Sequence, residues 1–346
     1  MNAIDISGRA PGGQRRPLGE SLPLATPWLI QIFPVYACNL KCDYCIFSVD
    51  KSKHGFLSDK TLIDVELYKK CVDEMAGFPD KVRVVRFVGV GEPLLHKKLV
   101  EMVQYTAAKQ VANTVEIITN GLLLTPSLSD ALLSAGLNRL VVSIQGTSKE
   151  KYKEVSGTDV DFGKFLENLR YFYAHKGEAQ IYIKIVDTAL NGVQDEQRFR
   201  EIFGALCDTI AIEHTVPIHD AVDYTKVLGS ASGALTQFGL PVGEVKICPQ
   251  PFFHMQINPD GKVVPCYSWE YPEIMGDCHS ASILDIWNGQ KFSNFRRRML
   301  DGLAHASEAC ARCTIIKYRQ FPEDDLADFA EGLKAHFQAG GPNGGG

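Results

Sequence analysis

The stretch Cys38-Asn39-Leu40-Lys41-Cys42-Asp43-Tyr44-Cys45 holds three cysteines, separated by three and then two residues, with an aromatic residue directly before the third. Thiolate is a soft ligand that suits zinc, copper(I) or iron–sulfur clusters. A cubane iron–sulfur cluster takes four ligands, usually four cysteines. A loop that supplies only three leaves one iron open to another ligand. A zinc site and three buried free cysteines are the structural alternatives.

The composition narrows the class of protein. A chain of 346 residues with 45% hydrophobic residues is long enough for two domains, or for one barrel with an appendage. The net charge of −5, without a long run of one sign, gives no argument for nucleic acid or an anionic membrane as a partner. No apolar run approaches the roughly 18 residues of a membrane helix. Residues 1–25 lack the apolar core of a secretory signal.

The ten cysteines occur largely in CxxC-type groups. In a large chain without a secretory signal, this clustering favours metal binding over disulfides. We therefore expect a cytoplasmic protein.

Apolar runs and amphipathic segments alternate about six times between residues 28 and 215. Strands are predicted at 28–33, 82–90, 115–119, 140–144, 181–186 and 209–213, and helices at 64–75, 99–110, 126–135, 162–175 and 197–206. This alternation predicts an α/β fold with a parallel sheet and helices outside it. Six units suit a partial (β/α)6 TIM-like barrel. The cysteine loop directly follows the first strand, where barrel enzymes carry catalytic loops.

The second strand ends in Gly91-Glu92-Pro93. Glycine allows the backbone to approach a ligand closely. Glu92 would offer a carboxylate to a cationic group, and Pro93 would stiffen the turn. Taken alone, this tripeptide is an ordinary turn, and its place at a strand end is what favours a functional role.

A second cysteine system lies near the C-terminus. Cys248 and Cys266 flank two short predicted strands joined by Asn258-Pro259-Asp260-Gly261, a strong hairpin signal. Because a hairpin brings its ends together, both thiols can reach one metal. Cys310 and Cys313 add a CxxC group from a turn after a predicted helix at 292–303. Four such ligands suit zinc or a [4Fe–4S] cluster, and the spacing leaves both open.

The cysteine loop resembles the CxxxCxΦC signature of the radical S-adenosylmethionine (SAM) superfamily, with Tyr44 as Φ. The resemblance implies that Cys38, Cys42 and Cys45 hold a [4Fe–4S] cluster whose open iron binds the amino and carboxylate groups of SAM. In that family the reduced cluster cleaves SAM to a 5′-deoxyadenosyl radical, which takes a hydrogen atom from the substrate. The three cysteines are therefore implied to be catalytic.

The resemblance also extends to the ends of later strands. Gly91-Glu92-Pro93 resembles the GGEP motif that holds the SAM ammonium, with Val90 in place of its first glycine, and 119–121 resembles the end of the third strand. Many relatives have aspartate where Gln145 stands, and a strand-end cap is the alternative role for Ser143 and Gln145. The implied SAM-binding residues are Tyr44, Gly91, Glu92, Pro93, Asn120, Ser143 and Gln145.

The C-terminal pattern resembles the SPASM/twitch appendage of radical SAM enzymes, in the spacing of Cys248, Gly261 and Cys266, in 282–288, and in the final CxxC. A full SPASM domain continues with more cysteines, and none follows Cys313. The resemblance thus implies one auxiliary [4Fe–4S] cluster, held by Cys248, Cys266, Cys310 and Cys313. We expect a loose N-terminal tail at 1–27, the barrel at 28–235, the auxiliary domain at 236–320, and a helix with a Gly-rich tail at 321–346.

A cluster held by four cysteines cannot bind substrate directly, so its expected role is electron transfer. Our leading hypothesis is dehydrogenation of a carbohydrate-like small molecule or natural product, by resemblance to an aminocyclitol dehydrogenase with the same set of clusters. The alternatives are a peptide or protein maturase, and an epimerase in which Cys278 returns a hydrogen atom. A flavodoxin- or ferredoxin-type protein is the expected electron donor.

Four other residues are candidates for the substrate site. Glu213, His214 and His219 follow the last predicted strand, and histidine titrates near neutral pH. Lys184 would mark a polar site if it faced the barrel interior, although the sequence is equally consistent with an outward side chain. Solvated loop histidines are the alternative to an acid–base role.

Overall fold

The structure, a computed structural model, describes residues 3–7, 15–55, 60–228, 233–267 and 270–338. Within these residues the strands form a ten-stranded sheet in the order β1-β7-β6-β5-β4-β3-β2-β8-β9-β10. The strands are β1 (Ile4–Asp5), β2 (Leu29–Ile32), β3 (Val82–Phe87), β4 (Ala112–Thr119), β5 (Arg139–Ile144), β6 (Gln180–Val186), β7 (Thr209–Glu213), β8 (His254–Ile257), β9 (Lys262–Val264) and β10 (Gly276–Asp277).

The helices lie between and after these strands. They are α1 (Val65–Met75), α2 (Leu99–Lys109), α3 (Pro126–Ser134), α4 (Lys149–Ser156), α5 (Phe162–His175), α6 (Val193–Phe203), α7 (Tyr224–Leu228), α8 (Gln250–Phe253), α9 (Ile283–Asn288), α10 (Gln290–Leu300), α11 (Leu303–Ala306), α12 (Glu308–Arg312) and α13 (Ala330–Gln338). None of the helices in these parts of the chain combines the length and apolar character that a membrane span requires.

Strands β2 to β7 are parallel, each paired with the next along the chain. This confirms the predicted α/β fold with a partial barrel. Helix α6 begins earlier than the predicted 197–206, because Gly192, with φ +86°, turns the chain directly before Val193. Helix α4 was not predicted. Its sequence is highly charged, and it begins where the side chain of Ser148 accepts a hydrogen bond from the Lys151 amide.

The two faces of the barrel sheet differ in polarity. On the outer face, residues such as Ile30, Val85 and Ile117 are fully buried in one large apolar core with the helices. Alternate residues point to the other face, where Arg86 and Arg139 both donate to the buried carboxylate of Glu116. Burying a carboxylate is costly unless it is paired, so this ion triad compensates the charge inside the barrel.

Strands on both sides of the expected barrel segment, 28–235, extend the barrel sheet. This differs from the expected division of the chain into separate segments. Residues 1–27 are not loose throughout, because β1 pairs in parallel with β7 and Leu18 is buried. At the other edge, β8 pairs in parallel with β2, with Leu29 opposite His254. The hairpin β8–β9 therefore continues the barrel sheet across the expected boundary near 235. Pairing both edges satisfies backbone groups that an open sheet would leave exposed.

Some predicted segments fall partly outside the described residues. These are the expected N-terminal tail, at residues 1–2 and 8–14, and the expected Gly-rich tail, from residue 339 onward. The C-terminal helix is present as α13.

Candidate functional site

The cysteine loop follows β2 and is fastened to the end of α4. The backbone N–H groups of Lys41 and Asp43 donate to the carbonyls of Ser156 (3.0 Å) and Val155 (2.9 Å). A turn in which the Cys45 amide donates to the Cys42 carbonyl at 2.8 Å places these two cysteines close together. The loop is thus held at the C-terminal edge of the sheet, as the strand order predicts.

The surroundings of the three thiols suit a cationic metal cluster. Burial raises the pKa of Cys38 to about 11, and burial together with the neighbouring thiols raises the pKa of Cys42 well above its usual range. Burial also raises the pKa of Cys45. Thiolates at such a site need a positive partner, and the iron ions of a cluster provide one. The three residues therefore fit the group that the sequence implied for them.

Gly91 brings the end of β3 against the segment that precedes Cys38. Its φ of +153° is unfavourable for other residues. A Cβ at this position would collide with the carbonyl oxygen of Val35 and would lie 2.8 Å from that of Ala37. The Glu92 amide donates to the same Ala37 carbonyl at 2.8 Å. Glycine is required here because two backbone segments meet.

The expected SAM contacts split into two groups in the structure. Glu92, at 2% exposure, uses its carboxylate to join strand ends, accepting from Thr119 and from the backbone of Asn120. Pro93 opens a short 3₁₀ helix, Pro93–Leu95, that Glu92 caps. By contrast, the side chain of Asn120 reaches the cysteine loop and donates to Asn39 Oδ1 at 2.7 Å.

Tyr44, Gln145 and Ser143 form a second connected group. The Tyr44 hydroxyl donates to Gln145 Oε1, and Gln145 Nε2 donates to the Ser143 carbonyl at 3.2 Å. The backbone carbonyl of Tyr44 also accepts from the Tyr224 hydroxyl at 3.0 Å. The side chain of Gln145 therefore bonds within the protein, while Tyr44 and Ser143 line an adjoining cavity.

That cavity opens at the C-terminal ends of β5, β6 and β7, and we call it the barrel cavity. It encloses about 610 Å³, part of which is open to solvent. Its polar lining side chains are Tyr44, Ser143, Lys184, Glu213, His214, Thr215, Gln237 and Arg319. The structure thus settles the orientation of Lys184, which faces this space.

Glu213 organises one wall of the barrel cavity. Its carboxylate accepts from Lys184 Nζ at 2.7 Å, from Gln237 Nε2 at 2.7 Å and from the Tyr182 hydroxyl at 3.1 Å. Burial opposes ionisation, but the Lys184 ammonium and the hydrogen bonds outweigh it, so the pKa of Glu213 is lowered. The Nε of Arg319 in turn donates to Gln237 Oε1 at 2.9 Å. The wall therefore holds one carboxylate and two cations in fixed positions.

A histidine–aspartate pair lies beside Glu213, with His214 in the lining of the cavity. His214 Nδ1 is 2.8 Å from Asp187 Oδ2, and the other oxygen of Asp187 accepts from the Thr215 amide at 2.8 Å. Since a carboxylate only accepts, Nδ1 donates in the neutral ring, and Nε2 is left as a base. His219 is not part of this lining; its Nδ1 accepts from the Ala221 amide at 3.0 Å.

The second cysteine system surrounds a separate cavity of about 410 Å³, which we call the auxiliary cavity. Cys248, Cys266, Cys310 and Cys313 all line it, among mainly apolar neighbours. Burial and the nearby thiols raise the pKa of Cys248 and Cys266 well above the usual range, and the pKa of Cys310 rises to about 11. Four thiols around one cavity fit a cluster with four cysteine ligands.

Within the described residues, no group of three or more His, Cys, Asp or Glu side chains is arranged to hold a single metal ion. A structural zinc ion draws its four ligands to about 2.0–2.3 Å from one centre. In a cubane, each thiolate binds a different iron, so the ligands stand farther apart.

Cys278 lies elsewhere. It is fully buried, and its thiol contacts that of Cys71 in α1, on the helix side of the sheet. This contact and burial raise the pKa of Cys278. Cys278 is among the lining residues of neither the barrel cavity nor the auxiliary cavity. Cys278 and Cys71 are both buried in the apolar core.

Sequence reasoning missed three residues in or beside the barrel cavity. Asp187 directly follows β6, so the rule that functional residues follow strand ends would have found it. Gln237 and Arg319 lie in irregular segments far along the chain, and no local pattern marks them.

Comparison with known proteins supports the two sites. The profile of the radical SAM superfamily matches residues 32–202, and that of an iron–sulfur cluster-binding domain, SPASM, matches 248–314. The first range contains the cysteine loop, and the second contains all four cysteines of the auxiliary cavity.

Relatives share part or most of this length. A GTP 3′,8-cyclase of Chlorobaculum tepidum is 36% identical over 130 residues, which is 38% of this chain and 36% of the cyclase. The chain thus matches only about a third of that relative. A tungsten-containing aldehyde ferredoxin oxidoreductase cofactor-modifying protein of Pyrococcus furiosus is 24% identical over 296 residues, 75% of this chain and 80% of that protein.

Solved structures agree on the fold. BtrN in complex with AdoMet and 2-DOIA superposes with a TM-score of 0.53 at 22% identity, covering 83% of this chain and 92% of BtrN. SuiB of Streptococcus suis bound to S-adenosylmethionine gives a TM-score of 0.61 at 16% identity, covering 87% of this chain and 74% of SuiB. At these identities the likeness establishes the architecture alone.

Proposed function

We propose that this chain, which belongs to the radical SAM superfamily and carries a C-terminal iron–sulfur cluster-binding SPASM domain, dehydrogenates a carbohydrate-like small molecule or natural product. The cofactors of the family are SAM, a SAM-binding [4Fe–4S] cluster and an auxiliary cluster. In our proposal Cys38, Cys42 and Cys45 hold the first cluster, and the four cysteines of the auxiliary cavity hold the second. Bound there, the cofactors supply a hydrogen-abstracting radical and an electron acceptor.

The observation that carries the proposal is the polar barrel cavity beside Tyr44 of the cysteine loop. Its wall offers the Lys184 ammonium, the Glu213 carboxylate, and the Gln237 and Arg319 side chains in fixed positions. Such groups match the hydroxyl and amino groups of a carbohydrate-like molecule. Buried polar groups also discriminate strongly, because a substrate that lacks the matching group leaves them unpaired.

We assign proton transfer to His214. Once a hydrogen atom has left a carbon that bears a hydroxyl group, conversion to a carbonyl releases one proton and one electron. His214 lines the cavity and Asp187 holds its ring through Nδ1, so in our proposal Nε2 accepts the hydroxyl proton. The electron is expected to leave toward the auxiliary cavity.

Two alternatives receive less support. An epimerase would need a hydrogen donor at the substrate, and Cys278 is buried against Cys71 on the far side of the sheet. A peptide or protein maturase remains the second outcome of the test below. We also propose a flavodoxin- or ferredoxin-type electron donor and a cytoplasmic location.

The test uses the anaerobically reconstituted full chain with SAM and dithionite. Polyols, amino sugars and aminocyclitols are supplied in one series, and short peptides in another. We expect a member of the first series to raise the amount of 5′-deoxyadenosine. We also expect that compound to yield a product two hydrogens lighter than itself. Cys42→Ala should form neither, and His214→Asn should form 5′-deoxyadenosine with little oxidised product.

Two results would overturn the proposal. Stimulation by peptides alone would replace it with the maturase alternative. Reconstituted protein that binds zinc in place of iron would remove the radical mechanism altogether.

A further inference from the structure

Tyr267 lies against three separate parts of the molecule. It directly follows Cys266, and its side chain lines the auxiliary cavity together with the four cysteines. One end of the residue is therefore covalently continuous with an expected ligand of the auxiliary cluster.

The ring of Tyr267 also packs toward the cysteine loop. It contacts Phe33 edge to face, with ring centroids 5.8 Å apart. Phe33 belongs to a small buried cluster with Tyr36, Ile46 and Val90, and both Cys45 and Tyr267 pack against that cluster. A short series of van der Waals contacts thus joins the two cysteine systems through this ring.

The face of the ring is covered from the side of the barrel cavity. The Arg319 guanidinium lies 4.8 Å from the ring centroid, a cation–π contact. Arg319 itself lines the barrel cavity. The contact between Tyr267 and Arg319 therefore joins the lining of the auxiliary cavity to the lining of the barrel cavity.

We propose that the aromatic ring of Tyr267 supports electron transfer between the auxiliary cluster and the SAM-binding cluster. This inference rests on the proposed function, because it requires both clusters. In this inference the covalently bonded atoms of the ring lie on the path between the two clusters. Loss of the ring would leave a gap on that path, and the electronic coupling between the clusters would be weaker. The hydroxyl group is not required, so phenylalanine should replace tyrosine.

The transfer would take place in protein whose two clusters have been reduced and from which dithionite has then been removed. Added SAM accepts one electron from its cluster as the C5′–S bond breaks, which gives methionine and the 5′-deoxyadenosyl radical. That radical takes a hydrogen atom from a thiol of dithiothreitol in the buffer, and the resulting thiyl radicals combine in pairs to form disulfide. The auxiliary cluster then loses one electron to the oxidised SAM-binding cluster, which allows a second cleavage.

The experiment follows the electron paramagnetic resonance signal of the reduced auxiliary cluster by rapid freeze-quench after mixing with SAM. We expect this signal to decay at similar rates in wild type and Tyr267→Phe, and several-fold more slowly in Tyr267→Leu. The matched control is Tyr171→Leu, because the Tyr171 hydroxyl bonds to Asp130 and Tyr171 lines neither cavity. It should retain the wild-type rate. Iron content and initial signal intensity of each variant report intact clusters.

Each outcome has a separate meaning. Equal decay in Tyr267→Leu and wild type would overturn the inference, as would slow decay in Tyr267→Phe. A wild-type signal that persists while 5′-deoxyadenosine forms would also overturn it, yet leave SAM cleavage established. If wild type forms no 5′-deoxyadenosine at all, the proposed function itself fails.

Discussion

The carboxylate of Glu92 accepts the backbone N–H of Asn120 at 2.7 Å, so the end of β3 holds the end of β4. The same carboxylate accepts from the Thr119 hydroxyl at 2.6 Å and from the Leu94 amide at 3.0 Å. Held in this way, Asn120 reaches Asn39 in the cysteine loop. Three donors on one buried carboxylate indicate a role in shaping the site.

We expect Glu92→Gln to lower the free energy of unfolding by about 1–3 kcal/mol, because an amide nitrogen would face a buried donor. SAM binding should weaken as a consequence. Urea denaturation and calorimetric titration measure the two effects, with the exposed Glu178→Gln as control. Unchanged stability with lost SAM binding would show instead that Glu92 acts only by contacting SAM.

The two cysteine systems should lose iron independently. We expect Cys42→Ala and Cys310→Ala each to lose about four of about eight irons per chain, since each removes a ligand of one four-iron cluster. Iron analysis and the separate resonance signals distinguish the two sites. Cys207→Ala is the matched control, because Cys207 is buried in the apolar core and should leave iron unchanged. Loss of all iron in either variant would contradict two independent clusters.

Glu213 should contribute stability that depends on pH. Its pKa in the folded chain is lowered, so its contribution is present above the unfolded pKa of about 4.3 and is lost as pH falls through the folded pKa. Glu213→Gln should remove this acid-sensitive part. At neutral pH the variant should lose about 3–5 kcal/mol, because Lys184 keeps its charge without a partner.

Urea denaturation at neutral pH and at pH values below about 4.3 tests this expectation. The double variant Lys184→Met/Glu213→Leu should recover part of the loss, since it removes both buried charges. An acid dependence in Glu213→Gln identical to that of wild type would contradict the prediction.

Cys278→Ala should affect stability alone. Removing a buried thiol leaves a small cavity beside Cys71, which costs about 1 kcal/mol. Formation of 5′-deoxyadenosine and iron content should match wild type. If the variant kept 5′-deoxyadenosine formation but lost the product, Cys278 would be acting as a hydrogen donor and the epimerase alternative would return.

Much of the barrel was predictable because its signals are local. Runs such as 181–186 and 209–213 are short, apolar and rich in β-branched residues, and they match β6 and β7. The highly charged helix α4 was missed because it lacks a clear apolar period. The pairing of β1 with β7 was missed because two residues of strand carry too little pattern to recognise.

The sequence by itself determined the chemistry expected of the first site. Cys38, Cys42 and Cys45 lie in one short loop, so their thiols stay close together independently of how the rest of the chain folds. The tertiary structure decided how the sites are joined. The pairing of β8 with β2 brings Tyr267 to the apolar cluster beside Cys45. The packing of a late segment places Arg319 against Gln237 and in the lining of the barrel cavity. Contacts between residues so distant along the chain depend on burial and backbone pairing, which no local pattern encodes.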